Sequence, residues 1–140
     1  MKKLLSLLIF GFALLCSCVE PDGLCETMKW KTNIPHLKKD HVIEVPSTGG
    51  TYTLKCKNYE SFWIEYVNGI NKYVDNGEEL TEDWYTIRLE KNVLTVIIAS
   101  NESPDDRTLD IGIRGGNATD GFTFEQSKGK VFDSHKKEER

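Results

Sequence analysis

Hydrophobic and polar residues alternate along several short segments between residues 41 and 126, and turn residues separate these segments. Alternation with a period of two is typical of strands that bury one face. The alternating segments are HVIEV, TYTLKCK, FWIEYV, WYTIRLE, RTLDIGIR and FTFEQ, and a further segment, VLTVIIA, is apolar on both faces. No segment has the period of an amphipathic helix. The pattern therefore predicts an all-β fold, a sandwich of about seven strands.

The alternation also predicts which side chains face the core. In the segment FWIEYV, it places Phe62, Ile64 and Tyr66 on the inner face and their neighbours, including Trp63, on the opposite face. The inward residues expected in the later strands are Tyr85, Ile87, Leu89, Leu109, Ile111, Ile113, Phe122 and Phe124. Between two of the strands lies a long polar insertion, residues 68–83, with room for a short extra strand at residues 72–74.

The first residues have the pattern of an export signal. A basic start is followed by an apolar run from Leu4 to Leu15, shorter than the about 20 residues that a bilayer-spanning helix needs. Leu15, Cys16 and Ser17 then precede Cys18, in the order that ends a lipoprotein signal peptide. We expect acylation of Cys18, the alternative being an ordinary signal peptide cut nearby. Two or three acyl chains would hold the mature chain in the membrane stably.

These features divide the chain into four parts. We expect a lipoprotein signal peptide at residues 1–17, a tether and lead-in segment at 18–40, the sandwich at 41–128 and a charged tail at 129–140. Lipid attachment at Cys18 predicts an outer-membrane location, and Glu20 and Asp22 behind it resemble a surface-export signal, which would place the chain on the cell exterior. The net charge of −4, without a basic stripe, argues against binding to nucleic acid.

Cys25 and Cys56 remain after removal of the signal peptide. Export to an oxidising compartment permits a disulfide between them. Cys56 shares a strand face with Tyr52 and Leu54, however, so a buried free thiol fits the sequence equally well. The cysteines and the three histidines lack the spacing of a zinc site, and no metal or cofactor is expected.

The strand sequences resemble the BACON-like family (Bacteroidetes-associated carbohydrate-binding often N-terminal). The resemblance rests on Gly49-Gly50-Thr51, Phe62-Trp63, Trp84, the segment from Asn101 to Arg107, and Phe124 with Gln126. It covers about residues 41–128 and implies an immunoglobulin-like sandwich. It also implies glycan binding, or a spacer role in surface glycan machinery.

Sugar recognition requires exposed aromatic faces with polar groups nearby. The candidate glycan-binding residues are Trp63, Trp84, Tyr73, Asp75, Asn76 and Glu78. The alternatives are that the tryptophans pack the ends of the sandwich and that the insertion is a solvated loop.

Catalysis is not expected, because the acidic pairs are adjacent in sequence rather than placed across a cleft. The function predicted from the sequence is non-catalytic recognition of a glycan or glycoprotein at the cell surface. The alternative is a structural or assembly subunit that docks onto an outer-membrane protein complex.

Overall fold

The computed structural model describes residues 26–130, which form ten β-strands. The strands are β1 Trp30–Thr32, β2 Val42–Val45, β3 Gly50–Cys56, β4 Trp63–Val67, β5 Ile70–Val74, β6 Glu79–Thr81, β7 Tyr85–Glu90, β8 Val93–Ile98, β9 Arg107–Gly115 and β10 Ala118–Gln126. The predicted signal peptide, Cys18, Cys25 and the end of the predicted tail lie outside the described residues.

The ten strands form two five-stranded sheets. The first sheet has the order β1-β3-β8-β7-β6 and the second has the order β2-β10-β9-β4-β5. Only β2 and β10 pair in parallel among the described strands; the other pairs are antiparallel. The chain passes from one sheet to the other after β1, β2, β3, β5 and β8, which makes an immunoglobulin-like β-sandwich. The predicted fold class is confirmed, but the sheets have ten strands rather than about seven. The strand β1 lies in the predicted lead-in segment, and β5 and β6 lie in the polar insertion.

The core lies between the two sheets and is built from the inward faces predicted by alternation. The largest fully buried side chains are Phe62, Phe122 and Phe124. Tyr85, Ile87 and Leu89 of β7 and Leu109, Ile111 and Ile113 of β9 are buried, as predicted. The strand β8 lies inside its sheet between β3 and β7, which fits its apolar sequence.

The prediction for the end of β4 was wrong. Val67 is buried and Tyr66 faces outwards, because the pairing of β4 with both neighbours shifts by one residue between Ile64 and Tyr66. Such a β-bulge adds one residue and exchanges the faces of the residues that follow. Tyr66 then lies opposite Gly112 of β9, where a Cβ atom would come within 1.8 Å of its ring. The glycine therefore leaves room for the tyrosine ring.

A polar network closes one end of the sandwich. Gln126, 1% exposed, accepts a hydrogen bond of 2.7 Å from Arg107 Nε and donates one of 2.8 Å to the Ala99 carbonyl. Asn101, 2% exposed, donates to the carbonyls of Asp105 and Ser127. Because these amides are buried, the loops that they connect are fixed to the strand ends.

Cys56 is buried at the end of β3, with Sγ 3.5 Å from Asn58 Oδ1. A disulfide to Cys25 stays a prediction, because Cys25 lies outside the part of the chain that the structure describes.

Candidate functional site

The outer face of the second sheet carries an aromatic pair at its β4–β5 end. Trp63, the first residue of β4, lies beside Tyr73 of β5, with ring centroids 6.4 Å apart and ring planes tilted by 42°. Tyr73 is 63% exposed, and Trp63 is partly exposed. Because β5 is the edge strand, no further described strand covers the pair from that side. The two rings form an aromatic platform open to solvent.

The bulge in β4 brings a third ring to the same face. Tyr66 lies over Gly112, and its ring occupies the volume that a side chain would take at that position. Without the bulge, Tyr66 would face the core and Val67 would face outwards. Because of the bulge, β4 presents two aromatic residues, Trp63 and Tyr66, on the outer sheet face instead of Trp63 alone.

An ion pair lies next to the platform. Arg114 of β9 is directly opposite Trp63 in the strand register, and its Nη2 atom lies 3.0 Å from Glu65 Oε1. Both side chains are 40% exposed, and Arg114 Nε has no hydrogen-bond partner among the described residues. The pair therefore places a donor group and an acceptor group beside the aromatic rings.

The predicted polar residues of the insertion are divided between two roles. Asp75 accepts a hydrogen bond of 3.3 Å from the Tyr73 hydroxyl, and the Glu78 carboxylate accepts one of 2.8 Å from the Asp75 amide. Asn76 accepts from the Lys91 amide and so fixes the turn after β5 to the β7–β8 turn. Asp75 and Glu78 therefore flank the platform, whereas Asn76 holds the loop.

The carboxylates also affect the Tyr73 phenol. Desolvation raises its pKa above the ordinary value, and the negative charges and hydrogen bond of the adjacent carboxylates raise the pKa further. The phenol therefore stays protonated at neutral pH and keeps its hydrogen bond to Asp75.

Trp84 is placed elsewhere. The Arg107 guanidinium lies over its indole, with Cζ 4.3 Å from the ring centroid, and Trp84 packs edge-on against Tyr85. Arg107 and Arg114 are at opposite ends of β9, which at about 3.3 Å per residue separates them by about 23 Å. The structure therefore does not bring Trp84 together with Trp63.

Trp30, the remaining tryptophan, packs against the core. Its Nε1 atom donates a hydrogen bond of 2.8 Å to Asp120 Oδ2, and its ring meets Phe62 and Phe122 edge to face. Trp63 is thus the tryptophan whose ring belongs to the aromatic platform. The indole of Trp30 is hydrogen-bonded to Asp120, and the ring of Trp84 is covered by Arg107.

Sequence reasoning missed Glu65, Tyr66 and Arg114 as members of this surface. Strict alternation placed Tyr66 in the core, and nothing in the sequence paired Glu65 with Arg114. The available signal was the glycine at position 112, inside an otherwise bulky strand, since an isolated strand glycine often marks a close approach.

Residues 26–130 contain neither a metal-binding cluster nor a membrane-spanning helix. No group of three or more His, Cys, Asp or Glu side chains is arranged to hold a metal ion there. The same residues include no helix of the length and apolar character needed to cross a bilayer.

Comparison with known proteins identifies a close structural relative. The NMR structure of a protein from Bacteroides thetaiotaomicron matches with 38% identity and a TM-score of 0.67, over 79% of this chain and 95% of that one. The M1 domain of titin matches with 17% identity and a TM-score of 0.43, over 74% and 97% of the two chains. No protein-family model and no curated protein matches. The chain belongs to the same family as the protein from Bacteroides thetaiotaomicron.

Proposed function

We propose that this chain is a non-catalytic recognition module that is anchored by lipid to the outer membrane and binds glycans or glycoproteins at the cell surface. The observation that carries the proposal is the aromatic platform of Trp63 and Tyr73 on the outer sheet face. The resemblance to BACON-like domains, whose proposed role is glycan binding, supports the same function.

The surface has the two elements that sugar binding requires. A pyranose ring presents a face of C–H bonds that packs on an aromatic ring, while its hydroxyl groups project sideways as donors and acceptors. The platform supplies the rings, and the Glu65–Arg114 pair supplies polar groups at its border. Aromatic rings that are exposed on a sheet face leave apolar area in contact with water. A ligand that covers the rings would bury this area, which favours binding.

The first test is a glycan array combined with a mucin pull-down. The protein would be the chain from residue 19, which retains the whole sandwich described here. We expect binding that the double substitution Trp63→Ala and Tyr73→Ala reduces about tenfold, since stacking contributes roughly 0.5–1.5 kcal/mol per ring and about 1.4 kcal/mol is tenfold in affinity. As a control, Ile97→Ala on the other sheet should bind like the unchanged chain.

The edge strand β5 supports the alternative function, which is docking onto a protein partner. Ile70 is 59% exposed at the start of this strand, and exposed apolar residues on an edge can dock a protein partner. Absence of signal on a broad glycan panel, together with co-purification of an outer-membrane protein, would replace glycan recognition by an assembly role.

The membrane anchor has a separate test. Cys18→Ser should release the protein from the membrane fraction or leave it unprocessed, because the thiol is the proposed site of acylation. Cys16→Ser is the matched control and should be processed normally. Membrane fractionation and mass spectrometry of the mature N-terminus measure both results, and equal effects of the two substitutions would contradict the assignment of Cys18.

A further inference from the structure

Building on the proposed function, we infer that the platform takes a neutral pyranoside, and that the Glu65–Arg114 pair binds two adjacent hydroxyl groups of the sugar. Two features of the second sheet lead to this class of ligand. One is the position of the ion pair relative to the rings, and the other is the sign of the surrounding charge.

The ion pair is held beside the rings by the strand pairing. Trp63 and Arg114 are directly opposite each other in an antiparallel pair, where side chains on one face are neighbours at about 4.5–5.5 Å between Cβ atoms. Glu65 follows Trp63 on the outer face of β4 and lies with Oε1 3.0 Å from Arg114 Nη2. A ring stacked on Trp63 would therefore have its edge next to both charged groups.

The pair retains hydrogen-bonding capacity. One contact, from Nη2 to Oε1, joins the two side chains, and each is 40% exposed. A guanidinium has five N–H donors and a carboxylate has two oxygens that accept, so both groups can make further bonds. Two neighbouring sugar hydroxyls, each able to donate to Glu65 or accept from Arg114, match this arrangement.

The charges around the platform disfavour an anionic sugar. Glu65 compensates the charge of Arg114, and Asp75 and Glu78 flank Tyr73. Asp110 of β9 lies further along the outer face, where it accepts a hydrogen bond from Thr123. A carboxylate or sulfate on the ligand would meet the like charges of Asp75 and Glu78, while Glu65 already compensates Arg114, and like-charge contacts oppose binding. A sialylated or sulfated glycan should therefore bind more weakly than its neutral parent.

The test compares N-acetyllactosamine with its 3′-sialylated and 6-sulfated forms, and adds maltotriose and cellotriose as further neutral probes. Dissociation constants would be measured by NMR titration on the chain from residue 19. We expect at least one neutral probe to bind, and Glu65→Ala and Arg114→Ala each to weaken it about tenfold, as expected for hydrogen bonds to charged groups. Glu125→Ala, an exposed acidic residue on β10, is the control and should change the affinity less than twofold.

The outcomes separate this inference from the proposed function. Tighter binding of the sialylated or sulfated form, or loss of affinity in Trp63→Ala without loss in Glu65→Ala, would overturn the inference and leave glycan recognition in place. Glu65→Gln keeps the side-chain shape and should give a loss of affinity between those of the unchanged chain and Glu65→Ala. It therefore separates the effect of the lost charge from an effect of altered folding. Absence of binding by every probe and by the glycan array would overturn both.

Discussion

Replacing Gly49 with alanine is expected to destabilise the sandwich by about 3 kcal/mol or more. Gly49 has a φ angle of +79°, which costs an L-residue roughly 1–2 kcal/mol, and it lies in the turn between β2 and β3. A Cβ atom there would be 2.2 Å from the Ile98 carbonyl oxygen and 2.9 Å from that of Ala99. Both are backbone atoms at the end of the neighbouring strand β8, so they cannot move aside without breaking the pairing of β3 with β8.

Gly77→Ala is the matched control for this substitution. Gly77 has a similar φ of +84°, but nothing lies within 4 Å of the Cβ atom that alanine would add. Its expected cost is therefore the conformational part alone, about 1 kcal/mol. Urea unfolding of both variants measures the difference between their free energies of unfolding. Equal losses would show that the close approach at Gly49 is not an important restraint.

Gln126→Met should be the other severe substitution, with an expected loss of about 1–3 kcal/mol. The fully buried Gln126 amide accepts from Arg107 Nε and donates to the carbonyls of Ala99 and Pro46. Methionine has a similar volume but no strong donor or acceptor, so Arg107 Nε loses its acceptor. The carbonyls of Ala99 and Pro46 keep the hydrogen bonds that they accept from Arg107 Nη2 and from the Gly49 amide. Each buried polar group without a partner costs roughly 1–3 kcal/mol.

The neighbouring Glu125→Met is the control, because Glu125 is exposed on the same strand and should change stability by no more than about 0.5 kcal/mol. Thermal unfolding followed by circular dichroism would compare the two variants. A melting temperature of Gln126→Met close to that of Glu125→Met would contradict the role given to the network.

The strands of the core could be predicted from the sequence because each buries one complete face. Alternation in β7, β9 and β10 runs without interruption, so the positions of Leu109, Ile111 and Ile113 follow from the pattern. The strands β1 and β6 have three residues each, too few for an alternation to show. Their position depends on pairing with distant strands, which a local pattern does not contain.

The candidate site was predicted in part. Alternation predicted that Trp63 faces outwards, and Tyr73 was a candidate because it lies in the polar insertion. The structure brings the two rings side by side. The bulge in β4 could not be predicted, because it depends on how β4 meets Gly112 of β9. Trp84 was grouped with Trp63 because both face away from the core, but alternation does not say at which end of the sandwich a residue lies.

The central claim is that glycans bind at the platform formed by Trp63 and Tyr73. The chain has three tryptophans, so a ¹⁵N-labelled sample gives three indole N–H signals that report on different places. Titration with neutral O-glycans released from mucin is predicted to shift the Trp63 signal in a saturable way. The Trp30 and Trp84 signals, from indoles held by Asp120 and covered by Arg107, should stay in place. A saturable shift confined to Trp30 or Trp84, or no shift in any of the three, would contradict the claim.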